Sequence, residues 1–404
     1  MRVLALAGYD SFLNTVRLIA PHFEKQGALV DFALISARKR KQISAEQIAE
    51  MGFSKPIPAV KIKDLCQSGD IQSYDIVLSC LEGMSTRHLF HYLEELGDAR
   101  PLVICVYPGL VLRYAYDGFS MRAPADLLWL NCLRDLEAYR EMATSFGIDP
   151  SNGRLFGSGS LLERIARQPA AEQSGPVVFF EQAVIPRYFD ERYYLVKRFC
   201  DLARRFPERS FLLKARAPGK KATLHRTWYP IENIFDEIRA SAEGVPDNVS
   251  LTDEKTGSLI ARASHCLTVS STVAVECLQA GVPLTIVSDF GAHDDYGLQY
   301  FYGSGLLRTF DDFSLEGARP NSDWLKRYTA DPYDNIEQLV SEAMQMDRRR
   351  NLRDGAVSQA SRSFAIELVE NLGVSKYLRR SFEYKSVSDR IALYKRRLFN
   401  GRLR

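Results

Sequence analysis

No cysteine pair in the 404-residue sequence has C-x-x-C spacing. The seven cysteines, at positions 66, 80, 105, 132, 200, 266 and 277, are scattered and odd in number. This argues against a zinc site and a disulfide framework, and it points to a reducing cytosol. Most of them sit in apolar stretches such as Val103-Ile104-Cys105-Val106, where they read as small buried hydrophobes. No apolar run approaches the roughly 18 residues that a membrane span needs. The opening run Met1–Gly8 resembles a signal peptide, but it is too short and Tyr9-Asp10 interrupts it, so it reads as a first buried strand. A Walker A lysine motif and His-Glu-x-x-His are both missing, and Gly157-Ser158-Gly159-Ser160 lacks the full Gly-x-Gly-x-x-Gly spacing. Neither a short-period repeat nor a low-complexity tract is present.

Charge is nearly balanced overall, at +3, but unevenly distributed. Residues 376–404 hold ten Lys/Arg and two acids, a net +8, which leaves −5 on the rest. The clusters Arg379-Arg380 and Lys395-Arg396-Arg397 lie among Tyr377, Phe382, Tyr394 and Phe399. Such a basic amphipathic tail suits an anionic membrane surface, or else a solvated helix face packed on the body. A nucleic-acid partner is not expected, since no recognition motif accompanies the tail.

The body alternates apolar runs with helical stretches. Val3–Ala7, Val30–Ile35, Ile76–Cys80, Leu102–Val106 and Leu127–Asn131 read as buried strands, separated by helices such as Phe12–Lys25, Thr86–Leu96 and Leu133–Phe146. This pattern predicts βαβ units and a parallel sheet covered on both faces. A polar interval around 168–176 follows, and the theme then repeats with strands at Val177–Glu181, Ser210–Lys214, His265–Val269 and Leu284–Ser288. The expected organisation is an α/β chain of two Rossmann-like units, 1–168 and 177–350, with C-terminal helices over 351–404. Ligands of open parallel sheets bind beyond the carboxyl ends of the strands, so the chemistry is expected in the loops that follow them.

Three segments carry candidate chemistry. In Thr268-Val269-Ser270-Ser271-Thr272-Val273-Ala274-Val275-Glu276, a strand ends in hydroxyl residues that start a helix closed by Gly281-Val282-Pro283. Ser271 or Thr272 suits the cap, the first-turn N–H groups suit a phosphate, and Glu276 one turn on suits a ribose or sugar hydroxyl. In the second segment, Lys214 and Arg216 leave a strand end, with Lys220, Lys221 and His225 beyond, and they suit a phosphate clamp. The third follows Leu102–Val106 and contains Gly109, Asp117, Arg122 and Asp126. Asp117-Gly118 is either an acceptor-side base with its glycine or an ordinary turn; Asp10, reached through Gly8-Tyr9, and Glu181 are reserves for the base. Asp289, His293, Asp294 and Asp295 imitate a metal cluster but read equally as a polar loop.

Ser-Ser-Thr-x-x-x-Glu-x-x-x-x-Gly-x-Pro resembles the nucleotide-sugar segment of GT-B glycosyltransferases. It is similar in particular to bacterial Kdo transferases and sialyltransferases, which use CMP-activated sugars. The likeness covers about residues 177–310 and includes Ser288-Asp289-Phe290-Gly291 and Gly303-Ser304-Gly305. It implies a two-domain GT-B enzyme that transfers a nonulosonic acid (sialic-acid-like or Kdo) from a CMP-sugar to a cell-surface glycan or lipid-linked acceptor. The alternatives are a UDP- or GDP-sugar transferase, a hexosamine 2-epimerase of the same fold, or a non-catalytic glycan-binding component. The resemblance further implies no metal or other cofactor, and Ser270, Ser271, Thr272, Lys214, Arg216 and Glu276 on the donor. It places Gly8, Asp10, Gly109 and Arg122 on the acceptor side, with Asp117 as base. The family's Lys-x-His-Pro is replaced here by Arg216-Ala217-Pro218, so either Arg216 or His225 takes the role of its histidine. A cytoplasmic enzyme, peripheral at the inner face of the cell membrane, is the implied setting.

Overall fold

The apolar runs form strands because almost every side chain on them is buried, on both faces of the sheet. The computed structural model describes residues 1–36, 43–169, 174–216 and 229–346. His225, Lys220, Lys221 and the basic tail lie outside the described residues, as does all of the range 351–404.

The first sheet contains β1 (Arg2–Ala7), β2 (Leu29–Ile35), β3 (Ala59–Val60), β4 (Ile76–Cys80), β5 (Leu102–Cys105), β6 (Leu127–Leu130) and β7 (Gly153–Leu155). Among the described residues its order is β3-β2-β1-β4-β5-β6-β7, and every pairing is parallel. Alternate residues serve two cores. Leu4, Leu6, Val77, Val103 and Leu128 face one, while Val3, Ala5, Ile76, Leu78, Ile104 and Trp129 face the other. Helices cover both faces, which explains why these strands lack polar alternation.

The second sheet contains β8 (Val177–Phe180), β9 (Phe211–Lys214), β10 (Val249–Thr252), β11 (His265–Thr268), β12 (Leu284–Val287) and β13 (Leu307–Arg308). It is parallel throughout, in the order β10-β9-β8-β11-β12-β13. The helix Val273–Gln279 follows β11 and stops at Gly281, whose φ of +67° is left-handed. The Val282 N–H then reaches back to the Cys277 carbonyl at 2.9 Å, so Gly281 closes this helix as its sequence predicts.

The helix Ile336–Gln345 lies in the range expected for the second unit, yet it packs on the first. Ile336, Leu339, Val340 and Ala343 join the core beside Phe23 and Trp129. Glu337 takes His22 at 2.9 Å and Lys25 at 3.1 Å. The packing therefore assigns this helix to the first sheet, rather than placing a unit boundary at 350. Among the described residues no helix is long and apolar enough to cross a membrane.

All seven cysteines are free and buried. Burial pushes the Cys66 and Cys105 thiols up to about 12, so these side chains behave as small hydrophobes. His265 opens β11 in full burial, with Nε2 2.9 Å from Thr285 Oγ1 and its ring 4.7 Å from that of Phe313. Burial pushes its pKa down to about 4, with the Leu315 carbonyl opposing.

The neutral ring is the folded form, so its contribution to stability is complete above the unfolded value of about 6.5 and is lost as pH falls toward 4. Urea midpoints at pH 7 and 4.5 should show about 2–3 kcal/mol more acid loss in the parent than in His265→Gln. Parallel acid limbs would show that His265 does not titrate in this way.

Candidate active site

The site is built from loops at the carboxyl ends of both sheets. On the second sheet, one polar network ties four of these loops together. Glu181, directly after β8, is buried against Arg192 of the helix Phe189–Arg205, with Oε1 2.6 Å from Nη1. Glu181 Oε2 accepts the Arg216 N–H at 2.7 Å, which fixes the loop after β9. Arg192 Nη2 donates to the carbonyls of Gln182 and Ala183, each at 2.9 Å. Gln182 Oε1 in turn accepts the Ser270 N–H at 2.9 Å in the loop after β11. Ser270 Oγ donates to the Tyr296 carbonyl at 2.5 Å, in the segment after β12. Burial raises the pKa of the Glu181 carboxyl, while the charge of Arg192 and the Arg216 N–H pull it back.

Several expected residues are thereby reassigned. Ser270, expected on the donor, is fully buried and its hydroxyl is occupied within this network, where it orders the loops. Glu181, a reserve for the base, has both oxygens engaged. Arg122 is buried too; its guanidinium donates to Leu81 O at 2.6 Å and Gly118 O at 3.0 Å and lies 4.2 Å from the Tyr107 ring. Expected on the acceptor side, it anchors the helix Ala115–Arg122. Asp117-Gly118 is no turn: it falls inside that helix, where Asp117 is exposed in the first turn. Asp126 is also structural, pairing with Arg100 at 2.8 Å and accepting the Val103 N–H. Asp289 takes the Tyr194 hydroxyl and the Phe310 N–H, and no group of three or more metal-ligating side chains occurs among the described residues.

Other expected residues do come together, across the two sheets. Asp10 starts the helix Asp10–Lys25 at the end of β1, and its Oδ2 lies 3.2 Å from Arg216 Nη2. At Gly8, just before it, an added Cβ would meet nothing within 4 Å, so the end of β1 borders open space. A Cβ on Gly109 would stand 2.4 Å from Thr272 Oγ1, and this close approach requires glycine. Thr272 Oγ1 accepts the Leu110 N–H at 3.2 Å; Ser271 Oγ instead turns to the Val273 N–H at 3.3 Å. Glu276 takes a hydrogen bond from Ser160 of the first unit and feels the charge of Arg216. Burial raises the pKa of its carboxyl, with Ser160 acting against the rise. Lys214, the last residue of β9, is half-buried, and its carbonyl accepts the Glu181 N–H at 3.1 Å.

Sequence reasoning missed Gln182 and Arg192. A signal for Gln182 was present, since Glu181-Gln182 is a polar pair abruptly ending the apolar run Val177–Phe180. Arg192 gave none, because it lies among the charged residues of an amphipathic helix.

A family model described as "Putative glycosyltransferase (DUF6716)" matches residues 3–343. No curated protein matches the chain. Among solved structures, S. aureus MnaA with UDP is 13% identical with a TM-score of 0.53, covering 94% of this chain and 97% of that one. The Neisseria meningitidis UDP-GlcNAc 2-epimerase bound to UDP-GlcNAc is 11% identical with a TM-score of 0.53, covering 85% and 99%. The Methanocaldococcus jannaschii UDP-GlcNAc 2-epimerase, with UDP-GlcNAc and UDP, is 11% identical with a TM-score of 0.51, covering 89% and 100%. At such identities the likeness is one of fold, and the two parallel sheets have the GT-B architecture.

Removing Arg192 would strand a buried carboxylate. Arg192→Met should lower the unfolding free energy in urea by about 3–5 kcal/mol. Lys326→Met, which breaks an exposed pair with Asp323, should cost under about 1 kcal/mol. A loss at Arg192 no larger than at Lys326 would mean that the network does not hold the loops.

Proposed function

The chain belongs to that glycosyltransferase family, and from this premise we propose that it moves a sugar from a nucleotide-sugar donor on the second sheet to a glycan or lipid-linked acceptor on the first. The observation that carries the reading is the meeting of Arg216 with Asp10, with Glu276 within its electrostatic reach and open space at Gly8. Arg216 and Lys214 stabilise the negative charge that develops on the departing phosphate. Glu276 receives a ribose or sugar hydroxyl, and Ser271 closes the phosphate side.

A uridine-diphosphate sugar is the first choice of donor, supported by fold relatives that were solved with UDP or UDP-GlcNAc. A CMP-linked nonulosonic acid is the second, supported by the Ser-Ser-Thr-x-x-x-Glu resemblance. The +8 charge of residues 376–404 supports an acceptor met at an anionic bilayer.

If the reaction inverts, a carboxylate on the first sheet must take the acceptor proton. Asp10 has the better position, since it faces the donor loops directly. Asp117 is exposed on a helix, and among the described residues no hydrogen bond or ion pair joins it to Asp10 or Arg216.

A panel of UDP, UDP-GlcNAc, CMP and GDP tests the donor by thermal shift. A nucleotide at 100 times its dissociation constant adds about 2.7 kcal/mol, and UDP is expected to stabilise most. A larger effect of CMP would favour the nonulosonic-acid reading, and no effect of any would favour a non-catalytic binding protein. With an accepted sugar, Asp10→Asn should slow transfer on the order of 10²-fold or more, and Asp117→Asn should not. The reverse result would make Asp117 the base. Interconversion of UDP-GlcNAc with its 2-epimer and no transfer would mark an epimerase.

A further inference from the structure

We propose that the donor's phosphate competes with Asp10 for Arg216, so that donor binding takes the guanidinium from Asp10 and leaves a free carboxylate facing the acceptor space. This rests on the nucleotide-sugar reading above and adds an order of events to it.

Arg216 has a fixed backbone and a movable head. Its N–H is held by buried Glu181 at 2.7 Å. Its side chain is 43% exposed and reaches Asp10 through a single contact of 3.2 Å. A guanidinium has five N–H donors, and among the described residues Asp10 is the side-chain partner of one of them, which leaves capacity for a bidentate oxyanion. Asp10 is far less exposed, at 13%, and it belongs to the rigid start of a helix packed on the first core. When the pair separates, the arginine therefore moves and the aspartate stays.

The exchange is favourable on charge. Arg216 lies among acids from both units, with Asp10 in contact and Glu276 within electrostatic reach. A single partly exposed ion pair is weak and easily replaced. A nucleotide phosphate brings more negative charge and matches the planar fork with two oxygens. The carboxylate left behind borders the open space at Gly8. In the transfer step the acceptor oxygen bonds to the sugar carbon and its proton passes to Asp10. The bond from that carbon to the phosphate oxygen breaks, and its electron pair leaves with the nucleotide, whose charge Arg216 meets. While Arg216 engages Asp10 Oδ2, that oxygen is occupied and cannot take the acceptor proton, so deprotonation awaits the donor.

The test is a binding cycle on the full chain, read by calorimetry with UDP, and with CMP and GDP in parallel. Arg216→Ala should weaken binding by roughly 10-fold or more, since it loses charge-assisted contacts. Asp10→Asn and Asp10→Ala should each tighten binding, by roughly two- to fivefold, because they remove the competitor. In the Arg216→Ala background the Asp10 substitutions should have no effect. Unchanged or weaker binding in both Asp10 variants overturns the exchange. Equal tightening with and without Arg216 also overturns it, since Asp10 would then act by direct repulsion of the phosphate. If the parent binds none of UDP, CMP and GDP, the nucleotide-sugar reading falls and the exchange with it.

Discussion

The buried pair of Glu181 and Arg192 is the constraint on which the cleft side of the second sheet depends. A carboxylate and a guanidinium, both removed from water, are costly unless their remaining hydrogen-bonding groups are satisfied. Here the satisfying groups are the backbone of the neighbouring loops: the Arg216 N–H on one side, and the Gln182 and Ala183 carbonyls on the other. Gln182 extends the network to Ser270, and Ser270 to Tyr296. Four strand-end loops are thus held in register by one set of polar contacts. Apolar packing alone would not specify their heights relative to one another.

The second requirement is that the two sheets meet closely enough to share a site. Gly109 against Thr272, Ser160 against Glu276, and Asp10 against Arg216 are three contacts between the two units, all in loops or helices that follow strands. The first admits no side chain, the second involves a carboxyl crowded by protein, and the third is exposed. The first two are closely packed by protein, and the last is the most exposed of the three. The return of the helix Ile336–Gln345 to the first core adds a covalent crossing back between the units.

The fold was largely legible in the sequence. Nine apolar runs read as strands each lie on an observed strand within one residue at either end, because burial on both faces leaves an unbroken apolar signal. The strands β3, β7, β10 and β13 escaped notice; they are only two to four residues long and are the four edge strands of the two sheets. The helix Ala115–Arg122 was hidden by Gly118, which looks like turn chemistry but leaves room for Tyr107, whose hydroxyl a Cβ there would approach to 3.3 Å. The site was legible in part. Strand-end position singled out Asp10, Arg216, Thr272 and Glu276. It did not reveal the burial of Ser270 and Arg122, because residue type and spacing do not show whether a hydroxyl or guanidinium turns inward to a carbonyl. That choice is settled by partners distant in sequence, such as Tyr296 for Ser270 and Leu81 for Arg122.

The central claim is that one ligand site is shared by strand-end loops of both sheets. Amide hydrogen exchange with and without saturating nucleotide tests it most directly, because bound ligand slows local opening where it makes contact. Protection is expected together in residues 8–11 and 109–111 of the first unit and in 181–183, 214–216 and 270–273 of the second. Protection confined to one sheet, or located at the amino ends of the strands, would contradict the claim.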